Sequence, residues 1–403
     1  PWTNHNYGEH VKVDISSANK WTDPPKYVSY QHLNTHSHTE PITVDSFKAS
    51  VYANRRMYIG HYEQDGKIRG DSMLKSPVGQ LDKFPKDLGR IDVAVDDGDE
   101  IVALMEYADR LLQFKKSSLY ILNISGEYDA LESEDRFKGI SNPGAVCKTD
   151  YGIAWANQNG CYLYDGKQVR DLLEDKGMRK ISNTAWSTHI DTAKYERVGY
   201  NPKRRQIIVT DGRATDAHAY VFDIVTGSWT RSTNMIGDTN TGSPFVNDPE
   251  TGTLLLFDDD DNEIDKWDDD SIQSSNNYII METKDLDFGH PGVRKKIYKV
   301  YISYKGDGSN TTVRYTINGE TSGTPGNFYK ITSATDGSSS GATNSNTPLW
   351  SGTVGTSDWL TAELKPVSSI NNVNSFRLLF GGRCADNFEI NDISIVYRLK
   401  NIK

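Results

Sequence analysis

Acidic side chains are concentrated in one short stretch of the chain. Residues 258 to 270 read DDDDNEIDKWDDD and carry nine acids and one lysine. Oxygen ligands at alternating positions are typical of a calcium-binding loop. The calcium ligands that this pattern predicts are Asp258, Asp260, Asn262 and Glu263. Because the glycine that permits the sharp turn of such a loop is missing, a solvated hairpin tip is the competing interpretation.

The same stretch is predicted to act through its charge alone. Like charges this close together repel one another, so a cation or a basic surface on a neighbour would stabilise them. The predicted interaction residues are Asp258, Asp259, Asp260 and Asp261 on the acidic side, and Arg294, Lys295 and Lys296 on the basic side.

Two tryptophans beside a long polar loop offer a different kind of contact. Trp350 and Trp359 follow the low-complexity segment TSATDGSSSGATNSN at residues 332 to 346. Exposed indole rings stack on sugar rings, so the pair predicts a glycan-binding surface as an alternative function. Burial of both rings in a core is the competing interpretation.

The sequence contains only weak matches to known catalytic motifs. Residues 337 to 341 (GSSSG) match the G-x-S-x-G pattern, but no strand precedes them and no helix follows to expose and activate the serine. The chain's 55 acids always supply some pair of carboxylates for glycoside hydrolysis, so a propeller hydrolase is a third hypothesis. His32, His36 and His38 share no face of a regular helix or strand, which argues against a metal site. We expect no enzymatic activity and no cofactor.

Composition narrows the class of protein. The net charge of −10 arises mostly in the acidic stretch, which argues against general affinity for nucleic acid. The mean hydropathy is −0.63 and no apolar run suffices to cross a bilayer. The three cysteines, at 147, 161 and 384, are too few and too scattered for a disulfide framework or a cysteine-rich zinc site. Cys147 and Cys161 are expected to be reduced, half-buried thiols, with a pairing across a hairpin as the alternative. The first twenty residues lack the basic start and apolar core of a secretory signal, so we expect the protein to be made and used without export.

The elements that must position these residues are predicted to be strands throughout. Residues 1 to 40 are polar and rich in histidine and proline, and they predict an extended arm. Residues 41 to 274 repeat a strand, turn, strand pattern that predicts a β-propeller. Residues 275 to 403 predict a β-sandwich of jelly-roll type. The fold class is therefore all-β, with a propeller-like domain followed by a sandwich domain.

Tryptophan spacing supports the propeller. Trp155, Trp186, Trp229 and Trp267 recur at intervals that fit loosely spaced blades, although a sandwich with chance spacing is the alternative. Helical periodicity is weak, and only residues 169 to 180 (VRDLLEDKGMRK) predict a short helix. In the C-terminal part, side chains alternate in KIYKVYISY and VRYTIN. This alternation places apolar residues on matching faces around a turn at residues 306 to 308.

Several of these stretches resemble structural proteins of tailed-phage virions. The stretches that carry the resemblance are DSMLKSPVGQLDKFP, IDVAVDDGDEIVALMEYADRLLQFKKSSLYILNIS, NPGAVCKTDYGIAWANQNGCYLYDGKQV, VRKKIYKVYISYK and FEINDISIVYRLK. They are similar to the propeller-bearing hub, nozzle or stabilisation proteins of short-tailed phages, over about residues 42 to 400. The arm of residues 1 to 40 departs from the resemblance.

The resemblance implies a structural role in the virion. Such a chain would form a ring with other copies and contact other tail or connector proteins around the channel through which the genome passes. It would be made in the host cytoplasm and reside in the phage tail. In such a ring, the acids at 258 to 261 would repel DNA along the channel and let the genome slide past. The resemblance carries no catalytic signature and implies no cofactor.

Overall fold

The structure is a computed structural model of the 403-residue chain. It describes residues 27–28, 43–85, 89–126, 128–190, 196–210, 218–233, 245–258, 263–267, 279–305, 311–320, 325–331, 359–366, 369–382 and 389–400. The chain divides into two compact units, Pro1–Asp269 and Asp270–Lys403. Nearly all regular structure is β, with one α-helix in the described part, and the predicted all-β class is confirmed.

The N-terminal unit is a succession of antiparallel sheets in chain order. A short pair comes first, β1 (Tyr27–Val28) and β2 (Thr43–Val44). The first four-stranded sheet holds β3 (Ser46–Ala53), β4 (Arg56–Gln64), β5 (Lys67–Lys75) and β6 (Arg90–Asp92). The second holds β7 (Ile101–Tyr107), β8 (Arg110–Lys115), β9 (Ser118–Asn123) and β10 (Ala130–Arg136).

The third sheet holds β11 (Val146–Thr149), β12 (Gly152–Asn157), β13 (Gly160–Tyr164) and β14 (Val169–Asp171). The hairpin of β15 (Glu174–Asp175) and β16 (Met178–Arg179) follows, and then helix α1 (Asn183–His189). The fourth sheet holds β17 (Arg197–Asn201), β18 (Gln206–Thr210), β19 (His218–Asp223) and β20 (Ser228–Thr233). A three-stranded sheet ends the unit, with β21 (Val246–Asn247), β22 (Leu254–Asp258) and β23 (Glu263–Lys266).

Each middle sheet packs on its neighbours through both faces. In β9, Leu119 and Ile121 enter the core shared with the third sheet, whereas Tyr120 and Leu122 enter the core shared with the first. Successive side chains of a strand point to opposite faces, so the four central positions of β9 are all buried and read as a continuous apolar run. Four-stranded meanders stacked in this way are the arrangement of blades in a β-propeller.

Two buried tryptophans and one partly buried tryptophan link these sheets through their indole N–H groups. Trp155 lies on β12, Trp186 on α1 and Trp229 on β20. The acceptors are the main-chain oxygens of Lys138, Asn157 and Leu172, at 2.9, 2.8 and 2.9 Å respectively. The tryptophans therefore fix the connections between sheets as well as filling the cores.

The short helix predicted for residues 169 to 180 is wrong. The segment forms β14, β15 and β16 instead. The Asp171 carboxylate accepts the Leu173 amide at 2.8 Å, which turns the chain after β14. Lys176 and Gly177, with φ of 51° and 75°, form the tight turn of the next hairpin. These local turns outweigh the weak helical pattern.

The described part of the C-terminal unit contains eight strands around one apolar core. They are β24 (Ile279–Glu282), β25 (Lys295–Lys305), β26 (Thr311–Ile317), β27 (Gly326–Ile331), β28 (Leu360–Pro366), β29 (Ile370–Val373), β30 (Phe376–Gly382) and β31 (Glu389–Leu399). Along β25, Val300, Ile302 and Tyr304 alternate into this core. The jelly-roll arrangement stays a prediction.

The two strands that flank the predicted turn at residues 306 to 308 are not partners. β25 pairs with β28, β29 and β31, whereas β26 pairs with β27 and β30. Both nevertheless bury their apolar faces in the same core.

Candidate functional site

The outward face of β25, β28 and β31 is a candidate surface of the C-terminal unit. Tyr301 lies opposite Glu363 on β28 and opposite Ser394 on β31. Directly opposed residues share a face of a sheet. Since the alternate residues of β25 enter the core, this row faces away from it.

Trp359 stands next to this face and is half exposed, at 50%. The Lys305 ammonium lies 6.0 Å from the centre of its ring and 3.5 Å from the Glu389 carboxylate. Burial of Trp359 in a core, the competing interpretation for this residue, is wrong. Trp350 lies outside the described residues.

A charged pair sits on the same face. The Lys299 ammonium donates to the Glu363 carboxylate, and this hydrogen bond raises the pKa of Lys299. Tyr301 lies beside the pair and is half-buried. An aromatic ring, hydroxyls and charged hydrogen-bonding groups together suit a polar, ring-shaped ligand.

The predicted basic patch is only partly exposed, because Lys295 is fully buried. Its ammonium donates to the main-chain oxygens of His290, Val293 and Asn374, at 2.6, 2.8 and 2.8 Å. Burial lowers the pKa of Lys295. Lys295 therefore binds turns of its own unit and is not available to an acidic neighbour.

The two flanking basic residues differ from Lys295. Lys296 is half-buried, and its ammonium lies 4.9 Å from the centre of the Tyr298 ring. Arg294 offers its main-chain oxygen to the Lys400 amide. A patch made of Arg294 and Lys296 stays a prediction.

The acidic stretch lies only partly within the described structure. Asp258 ends β22 and pairs with Glu263 at the start of β23, as expected for a hairpin. Asp259, Asp260, Asp261 and Asn262 lie outside the described residues. Calcium binding by Asp258, Asp260, Asn262 and Glu263 therefore stays a prediction. Within the described part, no group of three or more histidine, cysteine or acidic side chains is placed to hold a metal ion.

A polar cluster that the sequence did not reveal lies between the first and second sheets. His61 is 5% exposed and its Nδ1 lies 3.1 Å from the Glu100 carboxylate. The Lys116 ammonium contacts the same carboxylate, and that of Lys48 lies 3.7 Å away. We call these four residues the His61 cluster.

Backbone geometry aims His61 into the cluster. Its φ is 51°, in the left-handed region that a histidine rarely adopts. The register between β4 and β5 shifts between Gly60 and Tyr62, so a β-bulge holds this conformation. Neither the bulge nor the left-handed backbone leaves a mark in the sequence, which explains why sequence reasoning missed the site.

The electrostatics of the cluster favour neutral histidine and ionised glutamate. Burial is the main cause that lowers the pKa of His61, and the Lys48 charge adds to it. The hydrogen bond from Lys116 lowers the pKa of Glu100. The ionised Glu100 therefore interacts with the Lys48 and Lys116 ammonium groups, beside an uncharged His61 imidazole.

An open groove of about 490 Å³ lies beside β14, β15 and β16. Charges of both signs line it, including Asp171, Glu174 and Lys180. Burial raises the pKa of Asp171. Lys180 donates to the main-chain oxygen of Gly227, so part of the lining holds the protein's own backbone.

The described cysteines are free thiols, as predicted. Cys147 is half-buried and Cys161 is buried. Burial raises the pKa of Cys147 to about 12 and that of Cys161 well above its usual value. Both thiols are therefore poor nucleophiles. Cys384 lies outside the described residues.

No family model matches the chain, and no curated protein matches it. Solved structures show similarity to part of it. The extracellular domain of the putative one-component system BT4673 from B. thetaiotaomicron is 14% identical, with a TM-score of 0.37. The match covers 62% of this chain and 30% of that one.

Two further structures give the same degree of likeness. A protein from Lactobacillus plantarum is 12% identical over 56% of this chain and 70% of that one, with a TM-score of 0.36. The periplasmic gluconolactonase PpgL from Pseudomonas aeruginosa is 11% identical over 55% of this chain and 66% of that one, with a TM-score of 0.34. These likenesses are too weak to bear on function.

No helix in the described part is long and apolar enough to span a membrane.

Proposed function

We propose that this chain is a structural subunit of a tailed-phage virion, a tail hub, nozzle or head-tail connector protein that forms a ring around the DNA channel. Its N-terminal unit would close as a β-propeller and its C-terminal unit would form a jelly-roll β-sandwich. The subunit would be made in the host cytoplasm and contact other tail proteins. The proposal assigns it no catalytic step and no cofactor.

The observation that carries this proposal is the burial of both faces of the middle sheets. In β12, Ile153 and Trp155 enter one core while Ala154 and Ala156 enter the next. A sheet held on both faces cannot bend without opening two cores, so the frame is stiff. Stiff frames with contacts at loops and edges suit an assembly that transmits force and keeps its shape.

The sequence resemblance over about residues 42 to 400 directs the proposal to phage tails. A propeller-like frame is shared by proteins of many functions, so the fold alone does not choose among them. The sequence resemblance is what favours a phage-tail role over the other functions.

The test is the native mass and rotational symmetry of the purified full-length chain. We expect a closed ring of one defined order in electron micrographs. A monomer at all concentrations, or a trimer of fibre type, would count against the ring subunit.

Glycan binding by the tail is the second candidate, and the exposure of Trp359 favours it. Half of the ring is exposed and could stack on a sugar, and Ser303, Thr361 and Glu363 nearby offer hydrogen bonds. We expect Trp359→Ala to abolish binding to purified host surface polysaccharide with folding intact, and Trp350→Ala to weaken it. Binding that both variants retain would remove this candidate.

A further inference from the structure

Two different strands of the C-terminal unit present apolar side chains at open edges. In the described part, β24 pairs only with β30 and β31 only with β25. Ile280 on β24 is 70% exposed and Val396 on β31 is 43% exposed. Met281 and Tyr397, their chain neighbours, are 38% and 37% exposed. An open edge with exposed apolar side chains is a template for another strand.

The two faces of β24 are assigned by its pairing with β30. Met281 lies opposite Phe380, which is buried in the core. Met281 therefore faces the core side, and Ile280 faces the opposite side.

The two faces of β31 follow in the same way. Ile395 lies opposite the core residue Val300, so Val396 faces outward and Tyr397 faces the core side. The Tyr397 ring stacks on Phe288 at 4.1 Å, and Phe288 packs against the core.

The two edges match each other residue by residue in one parallel register. This register places Ile280 beside Val396, Met281 beside Tyr397, and Glu282 beside Arg398. Apolar residues meet on both faces, each on the face that its own sheet assigns, and an acid meets a base. Glu282 is partly exposed and lies 3.6 Å from Arg377 of its own unit, so its carboxylate is oriented by one cation and accessible to a second.

We propose that β24 of one copy of this chain adds in parallel to β31 of a second copy. The occupant of each edge is thus the other edge of an identical chain. Because the two edges differ, the contact is head-to-tail, and repetition of a head-to-tail contact closes a ring when the rotation permits. The inference rests on the proposed ring and names the strands through which its subunits join.

Cysteine cross-linking of the full-length chain tests the contact. Neighbouring strands lie about 4.8 Å apart, within the span that a disulfide bridges. The double variant Ile280→Cys with Val396→Cys should give a ladder of covalent multimers on a non-reducing gel after mild oxidation. Each single variant lacks one half of every contact and should remain monomeric on the gel, which also controls for the native cysteines.

The possible results separate this inference from the proposed function. A ring in solution whose double variant gives no ladder overturns the β24–β31 contact and leaves the ring proposal intact. A ladder or dimer from Val396→Cys alone would show that β31 of one copy pairs with β31 of another. That result would also overturn the β24–β31 contact. A chain that is monomeric at all concentrations contradicts both.

A charge exchange provides an independent check without oxidation. Ile280→Glu and Val396→Lys alter exposed side chains, so folding should be unaffected. Each variant alone should weaken self-association about tenfold or more, since it places a charge against an apolar neighbour. An equal mixture of the two variants should recover association when the chains alternate, because half of the contacts are then unaltered. The other half pair the introduced glutamate of one chain with the introduced lysine of the next. No recovery in the mixture would contradict the head-to-tail contact.

Discussion

A single buried ammonium group links the turns at one end of the C-terminal unit. Lys295 offers three donors, and its three acceptors are main-chain oxygens from two separate segments. Loss of the side chain would remove a charged hydrogen-bond donor from all three oxygens at once. The alternation that places Ile297 in the core also places Lys295 on that side, so the sequence contained the signal that the basic patch was incomplete.

We expect Lys295→Ala to lower the free energy of unfolding by about 3 kcal/mol. Lys296→Ala is the matched control and should change it by less than about 0.5 kcal/mol, because Lys296 is half-buried and its ammonium lies over the Tyr298 ring. Urea denaturation of the full-length chain measures both. Equal effects of the two substitutions would contradict the assigned role of Lys295.

The His61 cluster predicts a pH dependence of stability. Because burial lowers the pKa of His61 below its usual value of 6.5, the unfolded chain binds more protons than the folded chain as the pH falls through 6.5. The free energy of unfolding should therefore decrease below about pH 6.5. The lowered pKa of Glu100 has the same sign and acts at lower pH.

His61→Asn is the variant that isolates this effect, since asparagine tolerates the left-handed backbone and does not titrate. We expect the urea midpoint to fall less between pH 7.5 and pH 5.5 in this variant than in the unaltered chain. An identical fall in both would mean that other groups cause the pH dependence.

At the scale of elements, the turn between β11 and β12 depends on a glycine. Gly152 has a φ of 141°, and a Cβ there would lie 1.9 Å from the main-chain oxygen of Tyr164. We expect Gly152→Ala to destabilise the chain by more than about 4 kcal/mol. Gly177→Ala, at a φ of 75° with open space around it, is the control and should cost about 1 kcal/mol. Thermal unfolding compares them, and similar losses would refute the steric argument.

The sequence allowed the positions of many strands to be predicted, but it did not show which strands pair with each other. The strand, turn, strand pattern over residues 144 to 169 predicts hairpins, because turn residues such as Asn157 and Gly160 mark the reversal between β12 and β13. The partners of β25 lie far along the chain, and no local pattern encodes such a pairing. The bulge at His61 escaped prediction for the same reason, since the neighbouring sheet stabilises it.

At the scale of the whole molecule, the acidic stretch is expected to matter for assembly or for passage of DNA. Changing Asp258, Asp259, Asp260 and Asp261 together to asparagine removes four charges while keeping similar side-chain volumes. We expect virions that carry this variant to assemble in lower yield or to release DNA more slowly, measured by particle counts and by DNA ejection. Unchanged yield and ejection would remove both roles of the stretch.

The central claim is that the chain is a component of a virion. Quantitative mass spectrometry of virions, purified from infected cells that produce this chain, tests it most directly. The account predicts that the chain is present at a fixed copy number per particle, equal to the ring order seen in micrographs of the purified protein or a multiple of it. Absence of the chain from purified virions would contradict the account.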